Sequence, residues 1–171
     1  MSRPPPHSRA TPSAPRPTPA AGALELDAFL PYRLSVLSNT ISGAIAEVYQ
    51  QRFGLSIPEW RVMAILGRYP GLSAAEVAAR TAQDKVAVSR AVSRLIAAGR
   101  VQRRFADADR RRSILELSAA GQAVYEEVVP QALALERSLL EALTASELEQ
   151  LDTLLDTLLE RARHLSTSEL P

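Results

Sequence analysis

No cysteine occurs in the 171 residues, which excludes disulfides, thiolate metal sites and thiol-based redox sensing. Histidine is nearly absent too. His7 and His164 lie at opposite ends of the chain, without partners at ligand spacing, and are read as ordinary exposed side chains. No Ser/His/Asp, Cys/His or Gly-rich phosphate constellation is present, so no catalytic residue, metal or cofactor is expected and the chain is not read as an enzyme. Aromatic residues make up only 5%, so the core must be built from Leu, Val, Ile and Ala, a choice that favours helices over a sandwich or barrel. Long hydrophobic runs are missing. The longest uncharged helical stretch, Leu34 to Ala46, has 13 residues and includes Ser35, Ser38, Asn39, Thr40 and Ser42. A membrane span needs ~20 mostly apolar residues. The N-terminus carries arginines but no apolar segment of the secretory type. The expectation is a cytoplasmic protein with no membrane partner.

What is present in excess is proline at one end and arginine in the middle. Seven of the 12 prolines fall within residues 1–22, mixed with Ser, Thr, Ala and Arg, the composition of a disordered tail. Net charge is only +1, yet residues 85–112 carry nine basic and two acidic side chains, a local +7, while residues 113–171 stand at −8. Such a block inside a near-neutral chain is the electrostatic footprint of a polyanion partner.

Periodicity and capping signals divide the rest. A first helix is predicted from Leu26 to Arg52, with Leu30, Leu34, Leu37, Ile41, Ala44 and Val48 on one stripe and Gly54 as its cap. Ser56-Ile57-Pro58-Glu59 opens a second helix carrying Trp60, Val62, Met63, Ile65 and Leu66, ended by Pro70-Gly71. Ser73-Ala74-Ala75-Glu76 opens a short third helix, Ala74 to about Thr81, with Val77 and Ala78 inward. A four-residue turn, about Ala82 to Lys85, leads with Asp84 as N-cap into a helix over 85–98, closed by Gly99. Val101–Phe105 and Ser113–Leu117 each alternate apolar and polar around the charged tip Ala106–Arg112, a β-hairpin pattern. Ser118 caps a helix to about Leu143, which Pro130 is expected to kink, and Thr144-Ala145-Ser146-Glu147 starts a last helix with Leu148, Leu151, Leu155, Leu158, Ala162 and Leu165 in register.

Helix, four-residue turn, helix and hairpin form the order of a winged helix-turn-helix, in a mainly α (α+β) chain. In the helix over 85–98, Val88, Ala91, Val92 and Leu95 share one face and must be core. The other surface offers Lys85, Val86, Ala87, Ser89, Arg90, Ser93 and Arg94, with no Glu or Asp. Small residues permit close approach to a major groove, and arginines bond guanine edges or phosphates. On the hairpin, Asp109, Arg110, Arg111 and Arg112 suit a minor groove, where an acidic neighbour can hold a guanidinium in place.

The run from Ala106 to Gly121 resembles the wing signature of the MarR family of small-molecule-responsive bacterial repressors: Asp-Arg-Arg, an apolar strand, Leu-Ser and Gly. Pro58-Glu59-Trp60-Arg61-Val62-Met63 is similar to that family's second helix, and Lys85-Val86-Ala87-Val88-Ser89-Arg90 to the start of its recognition helix. The likeness extends over about residues 27–165. It implies a homodimer built from residues 23–55 and 118–171 around a DNA-binding domain at 56–117, bound to a pseudo-palindromic double-stranded operator. Both end segments carry long apolar stripes, more than a small winged domain can bury alone. The resemblance also implies roles: Arg111 enters the minor groove with Asp109 fixing it, Arg90 reads from the recognition helix, and Ser73 starts the supporting helix beside a phosphate. It further implies a small-molecule effector, often an aromatic carboxylate, at a junction lined by Tyr32, Ser35 and Asn39 of the first helix and Trp60 and Arg61 of the second. Trp60 offers a stacking face and Arg61 a carboxylate partner. The family's cysteine-based peroxide sensors are excluded by the missing thiol. A helical protein-interaction module without specific DNA binding is the alternative, but it leaves the +7 block unexplained.

Overall fold

The computed structural model describes residues 24–81, 83–106 and 109–167, with side chains omitted at 106, 109–112, 166 and 167. The proline-rich tail and Ala82 lie outside that set. Six helices and one hairpin occur in the order α1 Leu30–Phe53, α2 Ile57–Arg68, α3 Ala74–Arg80, α4 Lys85–Ala97, β1 Val101–Ala106, β2 Asp109–Leu117, α5 Ala119–Leu140 and α6 Ala145–Thr167. Residues up to Ile41 form one compact unit and residues from Ser42 another.

The N-terminal unit begins with a turn. The N–H groups of Ala28 and Phe29 donate to the Glu25 carbonyl at 3.1 and 3.0 Å, and helix proper starts only at Leu30. The predicted start at Leu26 is thus four residues too early, and Pro31 supplies the reason. Proline has no N–H to donate and its fixed φ suits a helix start, so it belongs in a first turn. The stripe side chains Leu30, Leu34 and Leu37 are all exposed in the single chain.

From Ser42 onward the chain builds a core. Ala46 and Tyr49 of α1, Leu55, Val62, Met63 and Leu66, Val77, the α4 face Val88, Ala91, Val92 and Leu95, then Val101, Leu115 and Val128 are buried in one cluster. Three helix starts are locally specified in the same way. The Glu59 carboxylate accepts from the Ser56 N–H at 2.7 Å, the Glu76 carboxylate from the Ser73 N–H at 2.7 Å, and the Glu147 carboxylate from the Thr144 N–H at 2.8 Å. Gly54, Gly71 and Gly99 have φ of 63°, 81° and 68°, the left-handed turn that ends a helix or redirects the chain. Gly121 is required for a different reason. A Cβ there would stand 1.9 Å from the Arg100 carbonyl oxygen, so α5 can cross the start of the hairpin only without a side chain.

The hairpin is antiparallel, Val101 opposite Leu117 through Phe105 opposite Ser113, which is where the alternation in sequence stops. Pairing continues further than the sequence pattern places it. Ala106 lies opposite Asp109 after a register shift, so β2 contains Asp109–Arg112 and has more residues there than β1. Ladder bonds are made by backbone, so side-chain alternation is a poor guide to where they stop. A third short segment joins the sheet edge: Leu115 N–H donates to the Leu72 carbonyl at 2.8 Å, and Gly71 N–H to the Leu115 carbonyl at 3.1 Å. α5 continues as one helix through Pro130 and ends at Leu140, three residues before the predicted end. The Leu143 N–H returns to the Leu140 carbonyl in the turn that precedes α6. No helix among the described residues is long and apolar enough to cross a membrane.

Candidate nucleic-acid interface

α3 ends at Arg80 and α4 begins at Lys85, so the connection between them closes one residue earlier than the sequence pattern sets it. Asp84 holds the first turn of α4. Its Oδ1 accepts from the Val86 N–H at 2.8 Å and the Ala87 N–H at 3.1 Å, satisfying two orphan donors of that turn. α4 then divides by face. Val88, Ala91, Val92 and Leu95 are at most 3% exposed, as their spacing requires. Lys85, Val86, Ser89, Arg90, Ser93 and Arg94 are exposed, and Ala87 is half-buried. Val86 keeps 56% of its surface open. The Ser93 hydroxyl donates to the Ser89 carbonyl at 3.0 Å, which lays it along the helix and keeps the surface low. Among the described residues Lys85, Arg90 and Arg94 form no ion pair, so the positive charge of this face is matched by no described carboxylate.

Ser73 sits half-buried at the start of α3, its Oγ accepting from the Glu76 N–H at 3.3 Å and its hydroxyl donating to the Glu76 carboxylate at 2.7 Å. Its geometry is that of a cap. On the hairpin, Asp109, Arg110, Arg111 and Arg112 lie in β2, and their side chains fall outside the described ones. Arg104 of β1 and Glu116 of β2 form an ion pair at 3.4 Å across the strands.

Of the residues assigned to an effector, Trp60 and Arg61 lie near the buried end of α1. Trp60 stacks with Tyr49 at 5.4 Å and with Tyr125 at 6.2 Å between ring centroids, and Arg61 donates to the Ser42 hydroxyl at 3.1 Å. Burial pushes the Tyr49 phenol up to about 12, with the positive Arg61 acting in the opposite direction. Tyr125 in turn lies over Gly67, where a Cβ would stand 2.5 Å from its ring. Nothing in the sequence marks this aromatic trio as a unit, because its members are 11 and 65 residues apart. Tyr32, Ser35 and Asn39 lie on exposed turns of α1, and the Ser35 hydroxyl donates back to the Pro31 carbonyl at 2.9 Å.

A buried-face helix preceded by a capped turn and followed by a bulged, arginine-bearing hairpin is a DNA-binding arrangement, and comparison with known proteins identifies its lineage. Residues 53–112 match the MarR family model. The HTH-type transcriptional regulator BilQ of Clostridium symbiosum is 31% identical over 108 residues, 63% of this chain and 75% of BilQ. This chain belongs to the MarR family. As a member it is a DNA-binding transcriptional regulator and not an enzyme. The MarR/EmrR family regulator from Acinetobacter sp. ADP1 superposes with a TM-score of 0.76 at 27% identity, covering 82% of this chain and 99% of that one. Bordetella bronchiseptica BpsR, described as regulated in its DNA binding by 6-hydroxynicotinic acid, shares the fold at a TM-score of 0.68 and 22% identity, over 86% of this chain and 100% of its own.

Proposed function

We propose that this MarR-family chain is a homodimeric repressor that sets two α4 helices into successive major grooves of a pseudo-palindromic operator. In this reading the wing arginines Arg110, Arg111 and Arg112 reach the adjacent minor grooves, Arg111 being held by Asp109. The observation that carries the reading is the division of α4: a fully buried apolar face opposite an open face of small and basic residues with no carboxylate beyond its N-cap. Support for the dimer comes from α6. Leu154, Leu155, Leu158, Leu159 and Leu165 stay exposed along it in a single chain, an apolar seam that a second copy would cover.

The effector is a small aromatic carboxylate held by Arg61, with Trp60 as its aromatic neighbour. Supporting this is a guanidinium held beside an aromatic cluster, its one described side-chain partner being the neutral Ser42 hydroxyl. The related BpsR, whose DNA binding responds to 6-hydroxynicotinic acid, is a parallel.

Fluorescence anisotropy against a duplex selected from a random pool tests the reading. Arg90→Ala and Arg111→Ala are each expected to weaken binding by ~1–3 kcal/mol. Unchanged affinity in both removes α4 and the wing from the mechanism. Titration of the complex with a panel of benzoic and pyridine carboxylic acids is expected to release DNA from the wild type and not from Arg61→Gln. Release that is indifferent to Arg61 removes the effector assignment.

A further inference from the structure

Among the described side chains of the charge block, Arg100 is the basic residue that does not face outward. Arg100 is half-buried, and its Nη2 donates to the carbonyl of Phe53, the last residue of α1, at 2.6 Å. Carbonyls at a helix C-terminus lack intrahelical donors and carry the negative end of the helix dipole, so a guanidinium there makes a charge-assisted bond. The same residue stands where three further elements meet. Its N–H donates to the Leu95 carbonyl at 2.9 Å and completes the left-handed turn at Gly99 that ends α4. The next residue, Val101, begins the wing. The Arg100 carbonyl accepts from the Ser118 N–H at 3.0 Å, while the Ser118 hydroxyl donates to the Gly99 carbonyl at 2.6 Å and its oxygen caps α5 by accepting from the Gly121 N–H at 3.0 Å. Gly121 lies against that Arg100 carbonyl with no room for a Cβ.

We infer that Arg100 is a positioning residue. It fixes the attitude of α4 and the wing against the ends of α1 and α5, and it contributes to operator recognition through that geometry rather than by touching DNA. Four elements converge on one residue, so rotation of α4 and the wing as a body relative to α1 and α5 must break the Arg100–Phe53 bond. The inference rests on the reading of α4 and the wing as the DNA-contacting pair. It differs from that reading in withdrawing one cation from the electrostatic footprint and giving it a structural target inside the chain.

The test measures Arg100→Gln and Arg100→Lys on two duplexes across a salt series, the selected duplex and a scrambled one of equal length and composition. Positioning predicts that Arg100→Gln weakens the selected duplex about tenfold or more, leaves the scrambled duplex unchanged and leaves the slope of log K against log salt unchanged. Arg100→Lys, which keeps a charged donor, is expected to recover most of the loss. Equal loss on both duplexes with a slope shallower by about 0.9, the signature of one lost phosphate contact, overturns the inference. So does unaltered binding by a folded Arg100→Gln. Should Arg100→Gln fail to fold, nitrogen-detected NMR of arginine side chains in the wild-type protein decides. A slowly rotating Arg100 guanidinium that does not shift on adding DNA, while Arg90 does, supports positioning. A DNA-induced shift as large as that of Arg90 overturns it. Wild-type protein that binds neither duplex refutes instead the reading of α4, and the Arg100 signal in free protein keeps the two failures distinct.

Discussion

The winged segment and the C-terminal helix treat leucine in opposite ways. Leu55, Leu66, Leu95 and Leu115 are each 1% exposed, whereas Leu154, Leu155, Leu158 and Leu159 of α6 retain 60%, 45%, 43% and 51% of their surface. Leucine is denser in α6, with seven in 23 residues against six in residues 55–117, but density alone does not cover or uncover a side chain. What separates them is whether short-range neighbours along the chain can cover the apolar side. α2, α3 and α4 are brief and connected by tight turns, so they close on one another. α6 is 23 residues long and has exposed leucines throughout its length. A single chain therefore closes its winged core and leaves its C-terminal seam open.

That contrast can be broken, or sharpened, in several ways. The largest effect is expected from Leu66→Ala, which empties a side chain buried in the core and should cost about 3 kcal/mol in urea denaturation at fixed protein concentration. A loss under about 1 kcal/mol would mean that the winged core is not closed. The double change Leu154→Glu with Leu158→Glu addresses the open seam. Helix content by circular dichroism should persist, while self-association followed by sedimentation weakens more than about tenfold. Persistence of the wild-type assembly would show that α6 is not a subunit contact. A smaller change is expected at the start of α4. Asp84→Ala removes the acceptor of two N–H bonds and should cost ~1 kcal/mol of thermal stability, with α4 amides at its first turn exchanging faster.

The smallest effect is a pH dependence at α6. The Thr144 N–H and hydroxyl both donate to the Glu147 carboxylate at 2.8 Å, and they hold it below the usual carboxylate range. Because the folded value is the lower one, this cap contributes fully above the unfolded-state value and is lost as pH falls through the folded one. Amide exchange in the first turn of α6 should accelerate over that acidic window. Glu147→Gln should flatten the dependence, and an equal dependence in that variant would place the titrating group elsewhere.

Much of the winged helix-turn-helix is legible before any coordinates. Ser56, Ser73, Asp84 and Thr144 announce helix starts because a cap is a contact between residues two or three apart. Val88, Ala91, Val92 and Leu95 sort α4 into faces because helical geometry alone sets their direction. Where sequence pattern misleads, the deciding partner is remote or is backbone. Leu72 pairs with Leu115 through main-chain bonds that no side-chain pattern encodes. Tyr49, Trp60 and Tyr125 become neighbours only when α1, α2 and α5 pack. In sequence Arg100 is one more cation of the +7 block, and its target, Phe53, is 47 residues away.

Local chemistry in the chain thus determined where α2, α3, α4 and α6 begin, which side of α4 is apolar, and that an arginine-rich hairpin comes after it, since each depends on interactions spanning a few residues. Which cations face outward and which anchor the frame, how far the hairpin pairs, and which leucines remain uncovered were decided by tertiary structure. Those outcomes depend on distances between segments far apart in sequence, and such distances exist only once the chain has closed on itself.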